Sequence, residues 1–347
     1  DLHSTSRRQR QMCIRDSPHT ESAYRTRCAE DRDPSWQLWG SVFVVLKRKG
    51  KSGETMERQN AEKGWNQLRY DARVYTIQNE RNRRVGAPGE IPDQYRYIGD
   101  KCFLNNGKVH SVSLPAACRV IGKQAFEGCQ FQKQVRFPDT LIEIKKRAFA
   151  GNRRLRAAVL PDSLEKIGAQ CYRECSKLKR VEFSSGSRCR VIPEGIFDSC
   201  LNLEEVCLPP HTQQIEKRAF YRCKELHSIA LPDSVREIGE EAFYFCGIEE
   251  LTLPSNLRVI GDSAFFRCKN LRTVYVPESV REIGRWAFHG CSRLERIEIL
   301  HDPDEIGPWI INRSCTIVCQ KGSKVDEYAQ EFGFTTEYAE LSEELDG

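Results

Sequence analysis

The chain has 347 residues, which is enough for one large domain or two ordinary domains with a hydrophobic core. It is 39% hydrophobic and 30% charged, a composition that excludes a wholly disordered chain and a bundle of membrane helices. Its net charge of +5 is too small to indicate a nucleic-acid-binding protein by itself.

The N-terminal quarter is basic, with 18 Lys/Arg against 12 Asp/Glu over residues 1–90. Its longest apolar run, Trp36–Leu46, is shorter than the roughly 18–20 residues of a membrane-spanning helix and is interpreted as a buried strand. The basic residues after this run lie on the wrong side for a signal peptide. We predict that residues 1–55 are disordered or an artefact of the gene model, and that residues 56–91 are an N-terminal cap or a linker.

A repeat of 22–25 residues begins at Pro92 and continues to residue 300. A proline, replaced once by Ser184, starts each unit; Ile follows six residues later and an aromatic residue eleven later, shifted by two after Ser184. This self-similarity predicts nine stacked structural units over residues 92–300. The nine aromatic residues are Phe103, Phe126, Phe149, Tyr172, Phe197, Phe220, Phe243, Phe265 and Phe288.

Each unit contains two predicted elements. The first reads L-x-x-V-x-L-P, as in residues 271–277, and its alternating apolar residues followed by proline predict a strand and a turn. The second, as in residues 260–268, places Ile, Ala and Cys at positions i, i+4 and i+8, which predicts a short helix. Pro193 agrees with the helix, because proline is tolerated in a first helical turn.

Such units bury a core only when they stack. The predicted fold is therefore an α/β solenoid: a right-handed leucine-rich-repeat superhelix with a parallel β-sheet on the concave side and short helices on the convex side. With A-F-x-x-C marking the units, the chain resembles the BspA-like leucine-rich-repeat family. Residues 316–334 also look like that family's ending, a strand, a Gly-Ser turn and a short helix. We assign residues 301–335 to a C-terminal capping unit and residues 336–347 to an acidic disordered tail.

A cysteine closes seven of the nine units, and asparagine takes its place in the other two. An amide is neither a nucleophile nor half of a disulfide, so the exchange favours a small buried polar position over a reactive one. No C-x-x-C pair occurs; metal binding stays an alternative at Cys171/Cys175, and a disulfide or metal binding at Cys315/Cys319. The positions are Cys129, Cys175, Cys200, Cys223, Cys246, Cys268, Cys291, Asn106 and Asn152.

Catalytic chemistry finds little support in the sequence. The seven His are scattered and recur at no repeat position. Gly50-Lys51-Ser52 resembles a phosphate loop, but Val45 stands where that loop needs glycine. We expect a non-enzymatic protein with no catalytic residues, no cofactor and no metal.

The variable positions of L-x-x-V-x-L-P point away from the core. They are basic in the first units and acidic in the middle ones, which leaves two interpretations: a solvated face, or a bipolar groove that orients a protein partner by charge. The candidate partner-binding residues are Lys133, Arg136, Arg156, Lys179, Arg180, Glu204, Glu205, Glu249, Glu250, Arg272 and the exposed aromatic Tyr275.

We therefore expect a monomeric, cytoplasmic protein-interaction or scaffold module that binds a protein of open identity through the concave sheet, with no membrane span and no nucleic-acid partner. One alternative is a cell-surface adhesin, which the family resemblance implies and which requires a signal peptide upstream of Asp1. Another is a nucleic-acid-associated protein that uses the basic N-terminal arm, although that arm lacks interleaved aromatic residues.

Overall fold

The computed structural model describes residues 73–83 and 88–339 of the chain. The predictions for residues 1–55, including the strand at Trp36–Leu46 and the basic arm, lie outside these residues. Of the predicted cap at 56–91, the structure describes 73–83 and 88–91.

Two kinds of short strand alternate along the chain. Strands of three or four residues come mainly from the L-x-x-V-x-L motif. Strands of two residues end on the recurring Ile, except that β1 in the first turn ends on Tyr75. In chain order the elements are β1 (Val74–Tyr75), α1 (Ile77–Arg81), β2 (Tyr97–Ile98), β3 (Val120–Ile121), β4 (Gln134–Arg136), β5 (Glu143–Ile144), β6 (Ala157–Leu160), β7 (Lys166–Ile167), β8 (Arg180–Phe183), β9 (Val191–Ile192), β10 (Glu205–Cys207), β11 (Gln214–Ile215), β12 (Glu237–Ile238), β13 (Val259–Ile260), β14 (Thr273–Tyr275), β15 (Glu282–Ile283), β16 (Arg296–Glu298), β17 (Glu305–Ile306), β18 (Thr316–Cys319), α2 (Lys324–Phe332) and β19 (Thr335–Tyr338).

The strands stack into parallel sheets on two sides of the chain. We call β4-β6-β8-β10 and β14-β16-β18-β19 the front sheets, and β1-β2-β3-β5-β7 and β9-β11-β12-β13-β15-β17 the back sheets. Equivalent residues of successive units pair with each other, as Val135 pairs with Ala158 and Ala158 with Val181. The described part of the chain is thus a parallel β-solenoid of about 11 turns, and the predicted parallel sheet is confirmed. Its concave curvature and superhelical handedness stay predictions.

The short helices predicted in every unit are wrong. Residues 260–268 are a short strand followed by a series of turns, and no helix occurs between residues 92 and 300. Ser263 and Arg267 have φ values of 54° and 59°, which an α-helix does not allow. The Phe265 N–H donates to the Ala287 carbonyl of the next unit at 2.8 Å, so hydrogen bonds that a helix would make internally run between units.

Pro193 also has a different role from the one predicted. At nine other turns, the residue that directly follows the two-residue strand donates its N–H to a backbone carbonyl of the preceding turn at 2.7–2.9 Å, as Gly261 does to Ile238. Pro193 occupies this position and has no N–H to donate to Ile167. The back ladder is accordingly interrupted between β7 and β9, whereas the front ladder continues from β8 to β10.

A column of aromatic rings forms the centre of the core. The nine aromatic residues of the repeat are at most 1% exposed, and successive ring centroids lie 4.9–5.9 Å apart from Phe103 to Phe288. The recurring Ile and Ala are buried beside them. The predicted core positions of the repeat are therefore confirmed, although the segment that carries them is not helical.

The C-terminal end of the described chain adds a strand, a helix and a further strand. The Ser323 side chain accepts a hydrogen bond from the Asp326 N–H and so caps α2, and Gly333 ends it with a φ of 68°. Residues 336–338, predicted to belong to a disordered tail, form part of β19 instead. Their register with β18 explains this, because Ile317 pairs with Thr336 and Cys319 with Tyr338. Residues 340–347 lie outside the described part of the chain.

Candidate binding surface

The predicted partner-binding residues are exposed, and all except Glu249 and Glu250 lie in or directly before strands of the front sheets. Lys133 and Arg136 belong to the turn that contains β4, and Arg156 lies directly before β6. The register places Arg136 beside Val159, and Arg180 beside Glu205. The front sheet β4-β6-β8-β10 therefore brings the first seven candidate residues onto four adjacent strands: Lys133, Arg136, Arg156, Lys179, Arg180, Glu204 and Glu205.

The basic and acidic parts of this sheet neutralise each other where they meet. Lys179 Nζ lies 2.6 Å from a Glu204 carboxylate oxygen, and an Arg180 guanidinium nitrogen lies 3.3 Å from a Glu205 carboxylate oxygen. Arg180 also contacts Glu182 at 3.4 Å. Exposed pairs of this kind stabilise a fold by at most about 1 kcal/mol. Their main consequence is that four of the charges predicted to orient a partner already have counter-ions.

Three other cations of this sheet have no such counter-ion among the described residues. Within the residues that the structure describes, no carboxylate lies within 4.0 Å of Lys133, Arg136 or Arg156. Val159 lies beside Arg136 and exposes 41% of its surface. We call these four residues the front patch. It combines a concentrated positive charge with one apolar contact.

The other candidate residues are farther along the chain, beyond β10. Glu249 lies 3.3 Å from a ring nitrogen of His227. Tyr275 belongs to β14, exposes 52% of its surface and pairs in register with Glu298. Glu250 and Arg272 are exposed on their own turns. The described chain forms no strand at residues 249–252, so the two front sheets are separate and this group does not share a sheet with the front patch.

The recurring cysteines form a buried ladder on the turn side of the repeat. In seven units the thiol donates a hydrogen bond of 3.0–3.3 Å to the backbone carbonyl of the aromatic residue one unit earlier, as Cys246 does to Phe220. Asn152 makes the same contact to Phe126 through Nδ2 at 2.8 Å. A hydrogen-bond donor is what Cys and Asn share, so the predicted small buried polar position is confirmed at the seven cysteines and at Asn152. Asn106, at the first of the nine positions, is only partly buried, and its Oδ1 accepts from the Lys108 N–H instead.

Burial also controls the reactivity of these thiols. It raises the pKa of Cys175 to about 12 and that of Cys223 well above the usual range. A thiol in this condition has almost no thiolate at neutral pH and is a poor nucleophile and metal ligand. Cys207, on β10, is the exception among the described cysteines because it is exposed.

Substitutions at Asn152 test this explanation of the ladder. The Asn152 amide also donates to the Phe149 carbonyl at 2.8 Å, and its Oδ1 is buried without a hydrogen bond from any described residue. Asn152→Ala removes both donors and should lower the free energy of unfolding by about 1–3 kcal/mol. Asn152→Cys keeps one donor and removes the unsatisfied oxygen, so we expect a change within about 1 kcal/mol. Urea denaturation measures both; equal losses would show that the donor is unimportant.

A second row of aromatic rings was not predicted from the sequence. Tyr221, Tyr244, Phe266 and His289 each follow the core aromatic residue directly and stack on one another with centroids 4.9–5.8 Å apart. All four are half-buried, and Arg267 lies over the Phe266 ring at 5.4 Å. The signal was the aromatic pair in A-F-Y, A-F-F and A-F-H, present only in the later units. The rings cover each other's faces, so the row chiefly adds packing between turns.

Comparisons with known proteins agree with this geometry. The model of the BspA-type leucine-rich-repeat region matches in six copies, over residues 96–190 and 190–318. A leucine-rich-repeat protein from Bacteroides ovatus is 22% identical with a TM-score of 0.57, and the match covers 69% of this chain. A leucine-rich cell surface protein from Faecalibacterium prausnitzii is also 22% identical, with a TM-score of 0.45 and coverage of 74% of this chain and 89% of its own.

The likeness to the Bacteroides ovatus structure concerns the fold. The chain spans 64% of the Bacteroides ovatus protein, and an identity of 22% shows the fold alone. No curated protein matches the chain. No helix among the described residues is long and apolar enough to cross a membrane. The family model, however, matches well over half of the sequence and coincides with the turns of the solenoid. The chain therefore belongs to the BspA-type leucine-rich-repeat family.

Proposed function

We propose that the chain is a non-enzymatic protein-interaction module whose front patch binds an acidic segment of a partner protein. The observation that carries this proposal is that one sheet contains both paired and unpaired cations. Lys179 and Arg180 have carboxylate partners, whereas Lys133, Arg136 and Arg156 have none within the described residues. Uncompensated like charges on neighbouring strands repel each other. An acidic partner would relieve that repulsion and gain attraction.

The scaffold under the patch favours recognition over chemistry. β4, β6 and β8 are hydrogen-bonded in register above a buried row of Val135, Ala158 and Val181, so the exposed side chains extend from a fixed backbone. Binding then needs no ordering of the backbone of this chain, and the ordering of each long side chain costs about 0.5–1.5 kcal/mol. Val159 supplies an apolar contact within the charged surface.

The test is binding of a fluorescent poly-glutamate peptide as salt is raised. The wild-type chain should bind it with an affinity that falls steeply with salt, and Lys133→Glu/Arg136→Glu/Arg156→Glu should abolish binding. Arg236→Glu/Arg258→Glu/Arg281→Glu is the matched control, because it makes the same charge change at exposed positions before β12, β13 and β15 of a back sheet. Circular dichroism should show that both variants are folded.

Two results would contradict the proposal. Equal loss in both variants would mean that overall charge, rather than the front patch, attracts the peptide. Tighter, patch-dependent binding of a single-stranded oligonucleotide than of the peptide would favour the nucleic-acid alternative.

A further inference from the structure

A cleft lies along the back sheets where their ladder is interrupted between β7 and β9. The cleft has a volume of about 630 Å³ and contains residues from β5, β7 and β9, with Ile144 and Ile167 at its base. Val191, at its far side, exposes 37% of its surface. Elsewhere on the back sheets neighbouring turns are bonded at this position. Two features of the unit after Ser184 coincide with the cleft: Pro193 has no N–H to donate, and the unit is two residues longer than its neighbours.

The cleft is strongly positive. Its lining contains two carboxylates, Glu143 and Glu165, and Glu165 is already 3.4 Å from Arg188. Among described residues, no carboxylate lies within 4.0 Å of Lys123, Lys146, Lys166 or Arg190. The six lining cations are Lys123, Lys145, Lys146, Lys166, Arg188 and Arg190.

The repeat provides an internal comparison for this charge. Lys123 and Lys146 occupy the second position after the recurring Ile on adjacent turns, whose backbones lie about 4.8 Å apart. Later turns place opposite charges at the same position. Lys217 pairs with Glu240 at 2.8 Å, and Arg285 with Asp262 at 2.8 Å. The solenoid can therefore neutralise this position between turns. Beside the cleft, Asp100 occupies it one turn before Lys123 and accepts a hydrogen bond from the Lys123 backbone N–H at 2.8 Å, but no carboxylate of the described residues lies within 4.0 Å of the Lys123 or Lys146 ammonium.

The size and the charge together restrict what would fit. A volume of about 630 Å³ is within the range of about 300–1,000 Å³ typical of small-molecule sites. A single carboxylate would neutralise one lysine, whereas a phosphate ester carries about −1.5 to −2 charges at neutral pH and accepts hydrogen bonds through three oxygens. We propose that the cleft binds a small molecule that carries two or more phosphate groups, held between Lys123, Lys146 and the other cations of the lining.

The environment of Lys145 supports this assignment. Burial lowers the pKa of its ammonium group, with the neighbouring Glu143 and Asp100 acting in the opposite direction. A phosphate in the cleft would add a nearby negative charge and compensate for the lost hydration. Lysine is well suited to such a ligand, since its ammonium group is a flexible point charge with three donors.

Isothermal titration calorimetry with sodium tripolyphosphate tests the proposal. We expect saturable one-to-one binding by the wild-type chain that weakens with salt. Lys123→Ala/Lys146→Ala should weaken it by about tenfold or more. Lys217→Ala/Arg285→Ala removes two cations from the same repeat position where each has a carboxylate partner, and it should bind as the wild type does. Melting temperatures measured without ligand show that both variants are folded.

A second arm identifies the source of the phosphates. Vesicles of phosphatidylcholine with phosphatidylinositol bisphosphate present the same groups on a membrane surface. Lysine-dependent binding of tripolyphosphate alone assigns a soluble ligand, and lysine-dependent binding to the vesicles assigns a lipid headgroup. Absence of saturable binding in both arms overturns the proposal, as does an equal loss in the two double variants. The front-patch variant should leave both arms unchanged, so failure here is separate from failure of the proposed protein binding.

Discussion

Phe243→Ala should lower the free energy of unfolding by about 3–5 kcal/mol, the largest loss that we expect from any single substitution. The Phe243 ring is fully buried and stacks between Phe220 and Phe265, with centroids 4.9 and 5.1 Å away. Its removal leaves a cavity and also ends two aromatic contacts. Neighbouring turns cannot close the gap, because hydrogen bonds on both sides set their spacing.

Urea denaturation with a linear fit measures this loss, and Phe245→Ala is the matched control. Phe245 lies two residues away, is half-exposed and contacts Lys224 and Lys269 with distances of 5.1 and 5.3 Å from each ammonium to the ring centroid. Its ring fills no core position, so the control should lose only about 1 kcal/mol. Similar losses in the two variants would mean that the column of aromatic rings does not carry the core.

The positions of that core were predictable because stacking requires each turn to repeat its buried residues. Ile, Ala, Phe and Cys therefore recur at nearly constant spacing, and the register of the repeat alone places Phe243 in the core. The conformation between them was not predictable from periodicity. Ile260, Ala264 and Cys268 are spaced as on one face of a helix, but left-handed residues such as Ser263 and Arg267 and hydrogen bonds to the next turn produce the same burial.

The candidate surfaces show a similar division. Alternation along the strands correctly predicted which side chains are exposed, including Arg136 and Glu205. Which charges meet depends on the register between turns. Lys179 and Glu204 are 25 residues apart, because the unit that starts at Ser184 is longer than the others. They form an ion pair because that longer unit still stacks in register on the one before it. The cleft lies where the back ladder is interrupted between β7 and β9, and that interruption is visible only once the turns are paired.

Gly247→Ala should lower the free energy of unfolding by about 1–3 kcal/mol. Gly247 follows the ladder residue Cys246 in the unit that is one residue shorter, with a spacing of 22 residues from Pro232 to Pro254. Other units have larger residues here, including Gln130 and Leu201. In this unit, a methyl group would overlap the backbone carbonyl oxygen of Lys224 and lie 3.4 Å from His227 Nδ1.

The expected loss is steric, because the φ of Gly247 is not in the left-handed region. A backbone oxygen cannot rotate away as a flexible side chain can, so two turns must separate and weaken the bond from the Gly247 N–H to the Cys223 carbonyl. Gly107→Ala is the control, since nothing lies within 4 Å of its added methyl group, and it should change stability by less than about 0.5 kcal/mol. Thermal and urea unfolding of both variants would decide the matter. If Gly247→Ala were as stable as the wild type, the short unit would tolerate a wider spacing between turns. Glycine would then not be the reason why this unit can be one residue shorter.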